Sequence, residues 1–226
     1  MTKAVCVVSG GLDSVAAAAI AAKVKLHEVY FITFVYGQRA QREVKIAQDF
    51  GFLLNAKLHY IINISFMKSI YGDTNVITDD SRPMPEQFDP SVLVPLRNTI
   101  FLSIASAWAY SIGAPLVIFG SHTGDFRYPD CRPDFIRHLT TSFNLSELDG
   151  IRSHKREEID IWSPAVGGLA KVDLIQQGHQ LLGDSIFKTW SCRLNEEFQC
   201  GKCESCRNRR KGIEDAGLTD KTEYRT

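Results

Sequence analysis

The sequence has no long apolar run and no excess of charge of either sign. Its 226 residues include 26 basic and 26 acidic side chains, so the formal net charge is zero. A neutral chain has no strong overall field that would favour nucleic acid or a membrane surface. The longest apolar stretches are too short to span a bilayer, and the first is interrupted by Ser9, Gly10 and Gly11, which excludes a signal peptide. We therefore expect a cytoplasmic protein that binds neither nucleic acid nor membrane.

The chain also lacks the Gly-Lys-Ser/Thr ending of the phosphate loop found in kinases and GTPases. Residues 9–14 instead read Ser-Gly-Gly-Leu-Asp-Ser, between an apolar run at 4–8 and an alanine-rich stretch at 15–24. A strand, a glycine turn and a helix in this order aim backbone N–H groups at a bound anion. We expect Ser14 to cap the helix. The alternative is a glycine turn before a core helix, with no ligand.

Strand and helix signals alternate along the chain. The predicted strands are residues 4–8, 28–35, 58–64, 116–119 and 159–162. The predicted helices are residues 15–24, 39–50, 98–112 and 171–182. This order predicts an α/β fold in which a Rossmann-like parallel sheet has helices on both faces.

Ligands of such sheets bind beyond the carboxyl ends of the strands. This rule places the loops 9–14, 36–39, 120–132 and 163–171 around one site. Two segments do not fit the core. Residues 65–95 contain four prolines and are predicted to form a long irregular loop, and the polar residues 144–158 are expected to be mobile.

Four of the six cysteines lie within fifteen residues of one another; they are Cys192, Cys200, Cys203 and Cys206. In a cytosolic chain such a cluster binds metal more often than it forms disulfides. Four thiolates suit a structural zinc site with no open position. A redox Cys-x2-Cys pair and an iron–sulfur cluster are the alternatives. We expect an α/β domain over residues 1–185 and a small helical zinc-binding region over 186–226, packed on the same core.

Further motifs make the chain resemble a known family. The Ser-Gly-Gly-x-Asp-Ser loop is similar to that of the PP-loop ATP pyrophosphatases, which cut ATP between the α and β phosphates. Over residues 4 to about 217, the chain resembles the 7-cyano-7-deazaguanine synthase (QueC) family. The motifs are Ser9–Ser14, Tyr36–Arg39, Val94–Asn98, Tyr128–Pro133 and Thr189–Cys192, followed by the other three clustered cysteines. The resemblance implies an adenine nucleotide α-hydrolase-like fold, structural zinc, ATP with Mg²⁺, and a homodimer.

The resemblance also implies a reaction. A ligase of this family forms C–N bonds as it converts 7-carboxy-7-deazaguanine, with ATP and ammonia, to 7-cyano-7-deazaguanine (preQ0) for queuosine biosynthesis. Adenylation turns a carboxylate oxygen into a good leaving group, ammonia attacks, and an amide forms. A second activation dehydrates the amide to the nitrile. No glutaminase segment is visible, so we expect free ammonia as the nitrogen source.

Site residues follow from the same resemblance. The implied ATP-binding residues are Val8, Ser9, Gly10, Gly11, Leu12, Asp13, Ser14 and Arg97, and the implied catalytic residues are Asp13, Ser14, Arg97 and Lys171. The implied substrate-binding residues are Tyr36, Gln38, Arg39, Asp125, Tyr128, Asp130 and Arg132. An acidic side chain suits the N–H groups of a guanine-like edge or Mg²⁺, and Arg132 suits the substrate carboxylate. Simple solvent exposure is the alternative for Arg97 and Lys171, and we expect His122 to be a polar loop residue.

Two departures from the family pattern lie in the expected substrate pocket. Leu96 replaces a glycine, and Arg127 is new in a loop, 123–128, that is one residue shorter and lacks one carboxylate of an acidic pair. They suggest an alternative enzyme that stops at the amide, or that joins the activated deazaguanine to another amine, such as a protein N-terminus in antiphage defence. Neutral charge argues against a tRNA thiolase, and the intact glycine loop argues against a non-catalytic nucleotide sensor.

Overall fold

A single parallel sheet organises the computed structural model, which describes residues 1–225. Its strands are β1 (Lys3–Val7), β2 (Glu28–Val35), β3 (His59–Asn63), β4 (Leu116–Phe119) and β5 (Asp160–Trp162). They lie in the order β3-β2-β1-β4-β5, and every neighbouring pair is parallel. The five predicted strands are confirmed, with ends that differ by at most one residue. The order reverses between β1 and β4, where the loops after these two strands diverge and leave a crevice.

Helices cover both faces of the sheet. They are α1 (Leu12–Ala19), α2 (Arg42–Leu53), α3 (Met67–Tyr71), α4 (Arg97–Ile112), α5 (Pro133–Ser146), α6 (Leu148–Arg152), α7 (Lys171–Leu182) and α8 (Glu204–Asp215). The side chains of β1 alternate, because Cys6 belongs to the core shared with α1, α2, α7 and α8, whereas Val5 belongs to the core shared with α4 and α5. A parallel sheet buried on both faces is therefore confirmed.

Helix α4 corrects the expectation that every apolar stretch is too short to span a bilayer. Within the described residues, Pro90–Ile112 is long and apolar enough to cross a membrane by length and composition. In the fold, α4 packs on β1 and β4, and Leu102, Ala105 and Ala109 on its inner face are buried. Its apolar character is accounted for by this position against the sheet.

Two segments have more local structure than the sequence predicts. Residues 144–158 include the end of α5 and all of α6, so this polar stretch is partly helical, and its mobility stays a prediction. The irregular segment 65–95 has a buried centre at residues 75–78, where Asn75 Oδ1 accepts the backbone N–H groups of Ile77 and Thr78. Asn75 is the turn-forming residue whose side chain satisfies this buried backbone.

Candidate active site and metal centre

A large cavity of about 850 Å³ lies beyond the carboxyl ends of β1, β2 and β4. Residues predicted to bind ATP that line it are Val8, Ser9, Gly11, Leu12, Asp13, Ser14 and Arg97. Residues predicted to bind substrate that line it are Tyr36, Gln38, Arg39, Asp125 and Tyr128. The structure therefore brings most of the predicted site into one cleft.

The glycine loop has a conformation that only glycine adopts easily. Gly10 has φ +82°, and a Cβ there would lie 2.2 Å from the carbonyl oxygen of Glu43. Helix α1 begins at Leu12, so the expectation that Ser14 caps it is wrong. Ser14 instead lies in the first turn, where its hydroxyl accepts the N–H of Ser9 at 3.1 Å and donates to the carbonyl of Gly11 at 3.0 Å. The first-turn N–H groups of α1 have no intrahelical partners, and the residues that carry them line the cleft.

Four charged or titratable side chains meet beside this loop. Lys171 Nζ donates to both carboxylate oxygens of Asp13, at 3.0 and 2.9 Å. His122 Nδ1 accepts the backbone N–H of Gly124, so the neutral ring carries its proton on Nε2. That Nε2 lies 4.0 Å from Asp13 Oδ2 and 3.6 Å from Asp125 Oδ1. The solvent-exposed alternative for Lys171 is therefore excluded, and His122 faces two carboxylates.

The two carboxylates have opposite pKa shifts. Burial acts to raise the pKa of Asp13, but Lys171 and His122 outweigh it, and the net shift is downward. Burial raises the pKa of Asp125, and the negative charge of Asp13 adds to that shift against the opposing effect of His122. A carboxylate pair around one histidine is a site where a divalent cation would relieve charge repulsion.

Arg97 and Tyr128 form another wall of the cleft and also line a second cavity of about 250 Å³. Arg97 is the first residue of α4 and lines the cleft, so it is not a simple surface arginine. Asp130 and Leu96 line only the smaller cavity. Leu96 has φ +54° and is 67% exposed, so the expectation that it lies in the substrate pocket is wrong for the main cleft.

Three predicted substrate residues have local structural contacts. Asp130 Oδ2 accepts the backbone N–H of Asn98 at the start of α4, and Arg132 donates from Nε to the carbonyl of Phe126. Neither Asp130 nor Arg132 lines the main cleft, contrary to expectation, because these backbone contacts hold their side chains elsewhere. Arg39 lines the cleft, but its guanidinium donates to the carbonyls of Asp79 and Arg82 and so anchors the segment 65–95.

Glu43 and Arg193 line the cleft but were not among the predicted site residues. Glu43 lies in the first turn of α2, where its Oε1 accepts from Gln38 Nε2 at 3.0 Å. Arg193 follows the first clustered cysteine and donates to the hydroxyl of Tyr128 at 3.1 Å. Its Nε also donates to Ser205 Oγ at 2.8 Å. The only sequence signals were an acidic residue at a helix start and a basic residue beside a cysteine, and neither is specific.

The clustered cysteines are arranged as a closed four-thiolate site that could hold a metal ion. The four Sγ atoms, all on buried residues, lie within 4.8 Å of one another. Cys200 Sγ and Cys206 Sγ are 3.9 Å apart, close to the separation of about 3.8 Å that a tetrahedron with Zn–S bonds of about 2.3 Å requires. Backbone N–H groups of Leu194 and Cys200 point at Cys192 Sγ. The donor set therefore fits a four-thiolate metal, and the six cysteines form no disulfide in the described residues.

The metal centre is joined to the glycine loop. The backbone N–H of Trp190 donates to the carbonyl of Gly10 at 2.9 Å. Arg209 of α8 is almost fully buried and donates to the Thr189 hydroxyl, the Ser191 hydroxyl and the carbonyl of Phe187. This buried arginine therefore fixes the segment that leads from α7 to the first metal ligand.

Comparison with known proteins gives one consistent result. The family model described as queuosine biosynthesis protein QueC matches residues 3–217. The 7-cyano-7-deazaguanine synthase of Cellvibrio japonicus is 40% identical over 98% of this chain and 97% of that protein. The synthase of Thermoplasma acidophilum is 37% identical over 98% of this chain and 92% of that protein.

Among solved structures, a predicted subunit of tRNA methyltransferase from Methanocaldococcus jannaschii is similar in fold. Its TM-score is 0.50 at 16% identity, and the match covers 100% of this chain and 93% of that one. At this identity the match concerns the α/β fold alone.

Proposed function

The chain belongs to the queuosine biosynthesis protein QueC family, and we propose that it is a C–N bond-forming ligase that makes 7-cyano-7-deazaguanine from 7-carboxy-7-deazaguanine, ATP and ammonia. One observation supports the proposed reaction. The glycine loop, the Asp13–Lys171 pair and the wall formed by Tyr36, Arg97 and Tyr128 line one cleft. Its volume of about 850 Å³ is within the range of cavities that hold ligands of this size.

Activation of the carboxylate depends on holding the ATP phosphates in place. The first-turn N–H groups of α1 and the cation of Lys171 supply donors and positive charge at the glycine loop. Mg²⁺ bound at Asp13 and Asp125 would neutralise part of the phosphate charge. Arg97, on the opposite wall, is placed to bind a phosphate or the substrate carboxylate, since a guanidinium binds either one through two parallel hydrogen bonds.

The metal centre has a structural role in this proposal. All four thiolates are used as ligands, so no position is open for substrate, and zinc is the metal we propose. Of the departures behind the conjugating alternative, Leu96 lies outside the main cleft, whereas Arg127 and most of the shortened loop 123–128 line it. We further propose that the enzyme is a cytoplasmic homodimer, which light scattering on the purified protein tests.

Product analysis tests the reaction. The enzyme is incubated with ATP, Mg²⁺, ammonium and 7-carboxy-7-deazaguanine, and the products are followed by mass spectrometry. We expect AMP and pyrophosphate, with the amide appearing first and the nitrile after it. ADP and phosphate as the sole nucleotide products, or no ATP turnover, would refute the proposal.

A further inference from the structure

Glu43 is an acidic side chain in the cleft to which the activation of ATP assigns no role. Glu43 lines the cavity. The glycine loop packs against the backbone of Glu43, since the Glu43 carbonyl oxygen occupies the space where a Cβ of Gly10 would lie. The backbone of Glu43 is therefore next to the glycine loop, and the residue lines the same cleft in which an acyl-adenylate would form.

The Glu43 carboxylate is held on one side and free on the other. Its Oε1 accepts from Gln38 Nε2, and the remaining contacts of the Gln38 amide, with the backbone of Phe34 and Tyr36, fix that amide in place. Within residues 1–225, Oε2 has no hydrogen-bond or ion-pair partner. A fixed carboxylate with one free oxygen in a polar cleft can accept a proton or an N–H donor.

We propose that Glu43 binds ammonium in the cleft and takes one proton from it, so that neutral ammonia attacks the activated carboxyl carbon. This inference rests on the proposed function. Ammonium has no lone pair and cannot attack. Once a proton has moved to the Glu43 carboxylate, the nitrogen lone pair forms the C–N bond, and the C–O bond to AMP breaks with its electron pair on the phosphate oxygen. A second proton leaves the nitrogen to water, which gives the neutral amide.

The charges that face Glu43 suit this role. Burial raises the pKa of Glu43 to about 7, although the Gln38 hydrogen bond, Arg97 and Arg193 act to lower it. Tyr36 lines the same cleft as Glu43. Burial raises the pKa of the Tyr36 phenol, which therefore stays protonated. A carboxylate with such a pKa is ionised often enough near neutral pH to receive ammonium and is basic enough to take its proton.

The test compares ammonium with hydroxylamine, which is already neutral near neutral pH and needs no base. Glu43→Gln keeps the acceptor for Gln38 and removes the base. We expect amide formation from ammonium to fall roughly 100-fold, whereas hydroxamate formation falls much less, so that the hydroxamate-to-amide ratio rises at least about tenfold. Asp49→Asn is the matched control, because Asp49 lies on the same helix but is exposed and pairs with Lys45.

Other outcomes separate this inference from the proposed function. ATP–pyrophosphate exchange needs no ammonia, so its absence in the parent enzyme refutes the proposed function. Parent exchange together with an unchanged ratio in Glu43→Gln overturns the role of Glu43 alone. A raised KM for the deazaguanine with an unchanged hydroxamate-to-amide ratio also overturns the inference, because Glu43 then binds the deazaguanine and not ammonium. If Glu43→Gln does not fold, Glu43→Asp must raise the same ratio to a smaller extent, and an unchanged ratio there overturns the inference.

Discussion

Lys171 Nζ lies 2.9 Å from Asp13 Oδ2, although the two residues are 158 positions apart. The pair joins the first turn of α1 to the first residue of α7 across the mouth of the cleft. A bound triphosphate competes with Asp13 for the ammonium group of Lys171. The same competition frees the Asp13 carboxylate for a divalent cation, so we expect ATP and Mg²⁺ to bind cooperatively.

Asp13→Ala, Ser9→Ala and Lys171→Met should each reduce ATP–pyrophosphate exchange by at least about 100-fold, because they remove charge or hydrogen bonds at the phosphates. Circular dichroism should show a retained fold. Lys45→Met is the control, since Lys45 is exposed on α2 and pairs with Asp49 away from the cleft. Exchange within about twofold of the parent in the Asp13 variant would contradict the placement of ATP.

Glu43→Gln should stabilise the fold in a pH-dependent way. The folded pKa of about 7 exceeds the ordinary value of 4.5, so the parent loses stability as pH rises from 4.5 to 7. The glutamine variant has no such loss. We expect its free energy of unfolding to exceed that of the parent by roughly 1–3 kcal/mol at pH 8 and by little at pH 4. Urea unfolding at both pH values measures this, and an equal difference at both would disprove the burial of the charge.

Each chain should contain one tightly bound zinc ion. Cys203→Ser should lower the melting temperature, because metal binding and folding are coupled. Any loss of activity in this variant should follow from the loss of stability. Elemental analysis of purified protein checks the prediction. Stoichiometric iron, or no metal in a well-folded chain, would contradict it.

The hydrogen bond between Arg193 and Tyr128 should couple the metal region to the substrate pocket. Arg193→Met and Tyr128→Phe should each raise the KM for the deazaguanine about three- to tenfold, and the double variant should be non-additive by about 1 kcal/mol. Zinc content should not change, because neither side chain is a ligand. Strict additivity would show that the contact carries no binding energy.

Leu96→Gly should stabilise the protein by about 0.5–1 kcal/mol, since glycine accepts the left-handed backbone at this position without strain. The ratio of nitrile to amide should not change, because the Leu96 side chain is exposed outside the main cleft. Arg127→Ala is the informative partner, since Arg127 lines the cleft. If Leu96→Gly alters the product ratio, the smaller cavity takes part in the reaction.

Local features were predictable from the sequence. The strands follow from apolar runs, the glycine loop lies within six consecutive residues, and the cysteine cluster lies within fifteen. Helix α5 was missed even though its apolar residues have helical spacing and pack in the core; they are Phe135, Ile136, Leu139 and Phe143. Helix α8 has a charged sequence, and its buried face includes Arg209, which no hydrophobic pattern reveals.

Residues whose positions depend on tertiary contacts were less predictable. Asp130 and Arg132 belong to the same short motif as Tyr128, yet only Tyr128 lines the main cleft. The Asp130 side chain contacts the start of α4, and the Arg132 side chain contacts the backbone carbonyl of Phe126. The motif itself does not specify either contact. Glu43 is the reverse case, because it becomes a cleft residue only when the glycine loop packs over α2.

The backbone hydrogen bond from Trp190 to Gly10 connects the region of the clustered cysteines to the glycine loop. Trp190 lies two positions before Cys192, the first proposed metal ligand, so we expect loss of the metal to weaken this contact with the glycine loop. If the chain binds ATP and a metal as proposed, we expect the metal-free chain to bind ATP poorly. Metal supply and ATP consumption would then be linked within one polypeptide.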